Sequence, residues 1–585
     1  MKRKVDPFTM SCIAGSLETI VREMATVMEK TARSPIFKLA HDFSDTLFDA
    51  DARFIVIGEN EGLNHVGSMS AAAKHVADYF KGQIYPGDII YHNDPSTGGG
   101  HLPDMAVLRP IFWKDELIAW SGNKAHMLDC GGSGNQFVKD LYGEGLRIPP
   151  IKIYEKGKIR KDVVDFLMAN VRYPELQRGD LQAQMAASAI AEKRWLELNK
   201  KYGKKTVENC IEELMNVRER EMRVWIGSLP DGIYKASASV EFPQANTVID
   251  IGVTVTIQED ALHVVLSSPP QVEASINSYK GNTLAGILIA LSKFGEFGRP
   301  INEGMLQPIT IDYGPEGTLL NASHPAPCLL CTTTPQTSVI DMMTEALSQA
   351  VPPDRHAAGW YHVTTLASSG IHPKTKKRYS MAHLPAFAGG SGAVSYSDGY
   401  HGIGSEVAHG AMSRGNLEQT ENEYPIRMLL WEMTADSPGA GKWRGGAGCT
   451  YEFEAIDHEC DITITGDDKG LPLSLAGAVS TLMEPKCSKR IRKNKITGET
   501  RKIGSPAVEH LHIGETIQTW VSGGGGVGSP LERATEAVLK DVIDEIVSLE
   551  GAQEDYGVII DSETLVIDER ATELLRKQKK QSEVF

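Results

Sequence analysis

The densest run of chemically capable side chains in this 585-residue sequence is His92-Asn93-Asp94-Pro95-Ser96-Thr97-Gly98-Gly99-Gly100-His101-Leu102-Pro103-Asp104. Three consecutive glycines let the backbone approach closely and let side chains converge from a tight loop. His101 and Asp104 stand three apart with Pro103 stiffening the link, and a borderline divalent metal accepts an imidazole nitrogen and a carboxylate oxygen from such a pair. A third donor is available at His126, which ends the run ELIAWSGNKAH. If the segments 106–113 and 116–121 form a hairpin, His101 and Asp104 before it and His126 after it return to one edge. Two His and one carboxylate would leave coordination positions open, the catalytic rather than the structural arrangement. The same residues would also serve a polar loop whose histidines are satisfied by hydrogen bonds. Asp42, in His41-Asp42-Phe43-Ser44, reads either as a turn or helix cap or as a carboxylate acting as general base beside the metal.

The elements that must carry these residues are legible in the periodicity. Ile13, Leu17, Ile20, Met24, Val27 and Met28 recur at steps of three and four, which predicts an amphipathic helix over 9–33, started by Asp6-Pro7 and Thr9 and stopped by Ser34-Pro35. From about Phe43 to Trp120 the pattern becomes short strands (54–58, 88–93, 106–113, 116–121), with one short helix over 70–79. Residues 161–225 are helical again. Strands dominate 232–320, with helices over 283–292 and 337–350. Residues 380–530 are rich in glycine and strands, and Ser529-Pro530-Leu531-Glu532 has the form of a capping box opening a helix from 531 to about 548. The expected architecture is α+β and multi-domain: an N-terminal α+β domain with the metal site (1–205), a central β-rich domain with helices (206–380) and a glycine-rich β domain with a C-terminal helix (381–585).

Bulk chemistry excludes several functions. The net charge of −16 argues against a nucleic-acid surface. The one basic run, 486–501, reads as a solvated hairpin or loop. No apolar stretch is long enough to span a bilayer, and no apolar leader follows the first residues. The eight cysteines are scattered, which suits reduced thiols in the cytoplasm; Cys328 and Cys331 read as two small buried residues. Gly523–Gly526 reads as turn chemistry, since no Gly-Lys-Ser/Thr follows to make a phosphate loop. With no phosphate-binding motif in the chain, ATP, if used, falls to a partner.

Several long segments resemble the hydantoinase B/oxoprolinase family: the opening from Asp6 through HDFSD, HVGSM (65–69), YPGDIIYHNDPSTGGGHLPD (85–104), NKAHMLDCGG (123–132), EGLRIPPIKIY (144–154), NVRYPELQRGDLQAQ (170–184), DSPGAGKWRGGAG (436–448), SGGGGVGSPLER (522–533) and AQEDYGVIID (552–561). The resemblance implies an enzyme subunit acting on a small carbonyl compound activated by phosphorylation. It would be either an ATP-dependent ketone carboxylase subunit using bicarbonate or an ATP-dependent cyclic amide hydrolase subunit of the hydantoinase, oxoprolinase or caprolactamase kind. It further implies a divalent metal (zinc, manganese or iron) on His101, Asp104 and His126, with Asp42 matching the aspartate of the family's D-F-S motif. Mg-ATP would be used by one or more hydantoinase A-type subunits, with a further small subunit as an option. Met127 and the segment 327–336 are more apolar than in typical hydantoinases, which tips this reading toward the ketone carboxylase. A scaffold that only holds ATP-using subunits together is the third reading, but it has no need of the polar cluster at 92–104.

Overall fold

The computed structural model describes residues 6–58, 63–133, 138–242, 245, 247–295, 300–408, 410, 412, 414–466, 472–476, 478 and 488–582. The chain is α+β and forms two compact units, Met1–Ala346 with Val407–Met412, and Leu347–Glu406 with Ser413–Phe585. The pattern changes near 205 and 380 therefore fall inside units: a helix opens at Lys204, and Arg378–Ala382 is a strand.

In the first unit, helix α1 (Pro7–Thr31) begins at Asp6, whose carboxylate accepts from the Thr9 amide at 2.8 Å. Its buried face is the predicted one: Ile13, Leu17, Ile20, Val21, Met24 and Met28. Strands β1 (Phe43–Asp49) and β2 (Phe54–Ile57), helix α2 (Val66–Tyr79), and strands β3 (Ile89–His92), β4 (Asp104–Trp113) and β5 (Glu116–His126) follow. Strands β6 (Ile151–Glu155) and β7 (Lys158–Ile159) complete, among the described residues, a seven-stranded sheet in the order β2-β1-β5-β4-β3-β6-β7, antiparallel throughout.

Alternation along β5 decides what each face meets. Asn123 and Ser121 point one way and donate to the Gln184 and Ser188 carbonyls of the helix Pro174–Tyr202. Lys124 points the other way and donates to Ser68 Oγ on α2. Helix α2 in turn lies against the helix Lys280–Ser292, so closely that a Cβ on Gly67 would sit 2.5 Å from the Gly281 carbonyl oxygen. A second sheet of this unit, of strands β8 (Gly232–Phe242), β9 (Thr247–Gln258), β10 (Ala261–Ser267) and β11 (Ile309–Asp312), has the order β11-β10-β9-β8 among the described residues.

The second unit packs two antiparallel sheets face to face. One holds β12 (Thr364–Ile371), β13 (Arg378–Ala382), β16 (Cys460–Gly466) and β19 (Ala507–Leu511). The other holds β14 (Ile426–Met433), β15 (Cys449–Ala455), β17 (Lys489–Asn494), β18 (Thr500–Ile503) and β20 (Glu515–Trp520). Leu366, Met381, Ile462 and Ile464 of the first meet Ile426, Tyr451, Phe453 and Ile517 of the second in a shared core, the sandwich solution for two half-apolar sheets. The basic run is a hairpin, β17–β18; Lys486 and Cys487 lie outside the described residues. Its cations are matched by acids: Arg492 and Arg501 bind Glu509, Lys493 binds Glu452 and Lys495 binds Glu454.

Two expectations change here. Gly523–Gly526 is neither a strand nor a turn but irregular backbone in a close-packed layer. The amide of Gly524 donates to the Gly446 carbonyl at 2.9 Å, Gly439 donates to Gly524 at 2.8 Å and Ala393 donates to Gly525 at 2.9 Å. The glycine-rich segments 389–392, 439–448 and 523–526 thus meet where a Cβ would collide with neighbouring backbone. The helix expected over 531–548 is also broken. Ser529 makes no side-chain cap, a single 3-10 turn spans Pro530–Glu532, and the helix proper is Thr535–Ile543. The backbone is non-helical at Arg533 and Ala534 and turns again at Glu545 with φ +58, while inside the helix the buried Asp541 carboxylate binds both Arg444 (2.9 Å) and Arg533 (2.8 Å). No helix among the described residues is long and apolar enough to cross a membrane.

Candidate metal centre

The β4–β5 hairpin does what the spacing asked of it. Asp104 and His126 are direct cross-strand partners at its open end, and His101 reaches them from the loop before β4. His101 Nε2 lies 2.9 Å from Asp104 Oδ1 and 3.0 Å from His126 Nδ1, and His126 Nδ1 lies 3.2 Å from the same carboxylate oxygen. His101 Nδ1 donates to the Leu329 carbonyl at 2.6 Å. A carbonyl can only accept, so this bond puts a proton on Nδ1 and turns Nε2 toward the cluster, as a metal-ligating imidazole requires.

The glycine loop earns its composition at Gly98 and Gly100. Gly98 has φ +98, and a Cβ on Gly100 would lie 2.7 Å from Asp104 Oδ2. That oxygen is buried without a hydrogen-bond partner, and His65 Nε2 lies 3.5 Å from it. An imidazole pair, a carboxylate with a spare buried oxygen and an outer carbonyl fixing one tautomer are a donor set that fits zinc, manganese or iron in the divalent state.

Asp42 comes near by a different route. The Ile36–Ala40 turn ends at His41 in the left-handed region, with φ 57, which brings Asp42 to the start of β1. Its carbonyl accepts from the His126 amide at 3.1 Å. Its carboxylate lies 3.9 Å from His65 Nε2, so His65 stands between Asp42 and Asp104. Asp42 keeps 19% of its side-chain surface exposed against 2% for Asp104. The other members of the 92–104 run are structural. Asp94 caps the Ser96 amide and binds Arg147, Asn93 ties the loop to Leu102, Leu146 and Ile148, and His92 Nε2 meets the Thr97 hydroxyl.

Four contributors were not singled out as site residues from the sequence. His65, whose Nδ1 is 3.0 Å from Ser44 Oγ, lies in the segment HVGSM, so its family motif was the available signal. Lys124 is fully buried, and its ammonium donates to Ser68 Oγ at 2.5 Å. Glu144 accepts from the Leu329 amide at 2.7 Å and so fixes the residue that orients His101. Leu329 acts through its carbonyl and therefore has no signature in the sequence. Cys328 and Cys331, on either side of it, are buried as expected. Met127 is buried in the hydrophobic core, so its apolar character says nothing about substrate.

Charges in the site are strongly coupled. Burial opposes the charged form of His101, but the Asp104 carboxylate outweighs it and raises the imidazole to about 10. Burial likewise opposes ionisation of Asp104, yet His101 and His65 hold it well below the usual carboxylate range. Burial depresses His65 and brings Lys124 down to about 8, with Asp104 offsetting part of each shift.

The hydantoinase B/oxoprolinase family model matches residues 6–530. The chain is 38% identical to the caprolactamase subunit beta of Pseudomonas jessenii over 97% of this chain and 98% of that one. It superposes on the crystal structure of the ATP-dependent caprolactamase from the same organism with a TM-score of 0.93 at 37% identity, covering 98% of this chain and 100% of that one. A nucleotide-free acetone carboxylase structure gives a TM-score of 0.90 at 19% identity over 99% of this chain and 83% of that chain, a likeness of fold. The chain belongs to the hydantoinase B/oxoprolinase family.

Proposed function

We propose that this chain is the metal-dependent subunit of an ATP-dependent cyclic amide hydrolase, acting on a lactam or related ring whose carbonyl a partner subunit of the hydantoinase A type activates by phosphorylation. The observation that carries this reading is the identity with caprolactamase subunit beta across nearly the whole of both chains. It reverses the preference for a ketone carboxylase drawn from Met127 and 327–336. Met127 lies in the core, the 327–336 segment meets the site through the Leu329 carbonyl, and the carboxylase likeness is one of fold.

His101, Asp104 and His126 are the residues that would hold the metal. When bound there, a divalent cation supplies Lewis acidity at the carbonyl carbon's oxygen and acidifies water. The chain's own residues supply the rest. Leu329 and Glu144 hold His101 in its donor tautomer. Asp42, the site carboxylate that keeps contact with solvent and lies 3.9 Å from His65 Nε2, accepts a proton at its Oδ atoms as water adds to the activated carbonyl carbon, after which the ring C–N bond breaks and phosphate leaves. Lys124 adds a buried positive charge beneath Asp104, suited to an anionic, phosphorylated substrate.

The test is to co-purify this chain with its ATP-using partner and follow ATP consumption with a panel of lactams, hydantoins, 5-oxoproline and ketones, with and without bicarbonate. Ring-opened amino acid formed at the same rate without bicarbonate is the expected result. A carboxylated ketone appearing only when bicarbonate is present would overturn it.

A further inference from the structure

The second unit carries a cluster of metal-capable side chains far in sequence from the first. Strands β16 and β19 pair antiparallel with Asp461 opposite His510 and Cys460 opposite Leu511. Just beyond the end of the ladder, Glu459 stands beside His512. Glu459, Asp461, His510 and His512 therefore share one exposed face at the sheet edge. We propose that Glu459, His510 and His512 form a second, surface cation site for a borderline divalent ion such as zinc, nickel or copper.

The geometry favours a chelate over two separate ion pairs. Each oxygen of one carboxylate faces a different imidazole: Glu459 Oε2 lies 3.2 Å from His510 Nε2, and Oε1 lies 2.9 Å from His512 Nδ1. The two rings are 4.9 Å apart, edge to face, and one donor atom from each of the three residues lies within 4.8 Å of the others. Donors about 2.0–2.2 Å from a tetrahedral ion stand roughly 3.3–3.6 Å apart, so small side-chain rotations suffice. Asp461 Oδ1 sits 2.8 Å from His510 Nδ1. It fixes the proton there and leaves Nε2 as the donor, the carboxylate–histidine arrangement that supports metal ligands. Exposure of all four residues leaves the remaining coordination positions to water or to another molecule.

The test uses the full chain and zinc alone. Equilibrium dialysis against zinc chloride, read by elemental analysis, is run on a His126→Ala variant, which weakens the interior donors, and on the wild type. The expected result is saturable zinc binding in the His126→Ala protein. Adding Glu459→Gln or His512→Ala should weaken it at least about ten-fold, and Asp461→Asn should weaken it by a smaller factor. Should His126→Ala fail to fold, the same surface substitutions in the wild type should remove one zinc equivalent while the melting curve of the zinc-free protein is unchanged. Zinc uptake that is absent, unsaturable or indifferent to Glu459 and His512 overturns the proposal.

Discussion

The orientation of one imidazole connects the chemistry of the centre to residues that never touch it. His101 is turned by the Leu329 carbonyl, and Leu329 is held by Glu144. Glu144→Gln alters an acceptor three steps from the metal, one beyond the outer-shell partners whose loss costs roughly 10–100-fold in metal affinity, so a loss at or below the lower end of that range is expected. Competition dialysis of the purified variant would measure it, and undiminished affinity would show that the Leu329 turn holds itself. Protons and metal also compete for His101 Nε2. With the metal-free imidazole raised to about 10, that nitrogen carries a proton throughout the neutral range. Each metal bound between pH 7 and 9 must then release about one proton, and apparent affinity should rise about ten-fold per pH unit. Calorimetry in buffers of different ionisation enthalpy would read the proton directly. For the reaction, Asp42→Asn should lower coupled turnover by roughly 10²–10⁴ with metal content unchanged; loss of the metal would make Asp42 a ligand instead. The triad was legible in the sequence because a hairpin obeys simple arithmetic: residues flanking it must meet. His65 and Glu144 were not, because they arrive through helix-on-sheet packing and through the distant Leu329 loop, neither of which leaves a local spacing; Lys124 stands two residues before His126 on the same strand, but a lysine in a strand does not announce that it is buried.

At the scale of elements, the β4–β5 register is the feature on which the centre depends. Asp104 faces His126 in that register, and a slip of one residue would send one of them to the opposite face. The loop feeding β4 is equally constrained. Gly100→Ala would drive a methyl group against the Asp104 carboxylate, so the variant should fold, with an unchanged circular dichroism spectrum, but retain little metal. Metal retention equal to wild type would show that the loop yields. The periodicity located α1, the hairpin and the long helices of 161–225 within a few residues because apolar faces dictate them. It failed at 531–548, where the apolar pattern continues but the backbone is non-helical at Arg533 and Ala534 and turns at Glu545 with φ +58. Asp541 neutralises Arg444 and Arg533 together, and Asp541→Ala would leave both guanidinium groups less compensated. The expected loss is roughly 3–5 kcal/mol, measurable as a lowered denaturant midpoint.

On the scale of the whole molecule, α+β character and family were readable because strands and helices announce themselves by period and because the family's motifs are long. The limits of the two units were not, since contacts between distant segments decide them. The glycine layer of the second unit is the clearest example: the repeats at 389–392, 439–448 and 523–526 look like separate loops in sequence and form one packed surface in the fold. Gly524→Ala should destabilise the protein by about 3 kcal/mol, at the upper end for overpacking. That layer also has a consequence for biosynthesis. About 130 residues of chain separate its first strip from its last, and a ribosome adding about 5–20 residues per second needs roughly 6–26 s to deliver them. Until Gly526 has left the exit tunnel, the two earlier strips can pair only with each other, Gly446 donating to the Ser391 carbonyl at 2.8 Å, and the side that 523–526 later covers stays open to pairing with a neighbouring nascent chain. The yield of soluble protein should therefore depend on the crowding of polysomes and the supply of chaperones more than on the final stability of the fold.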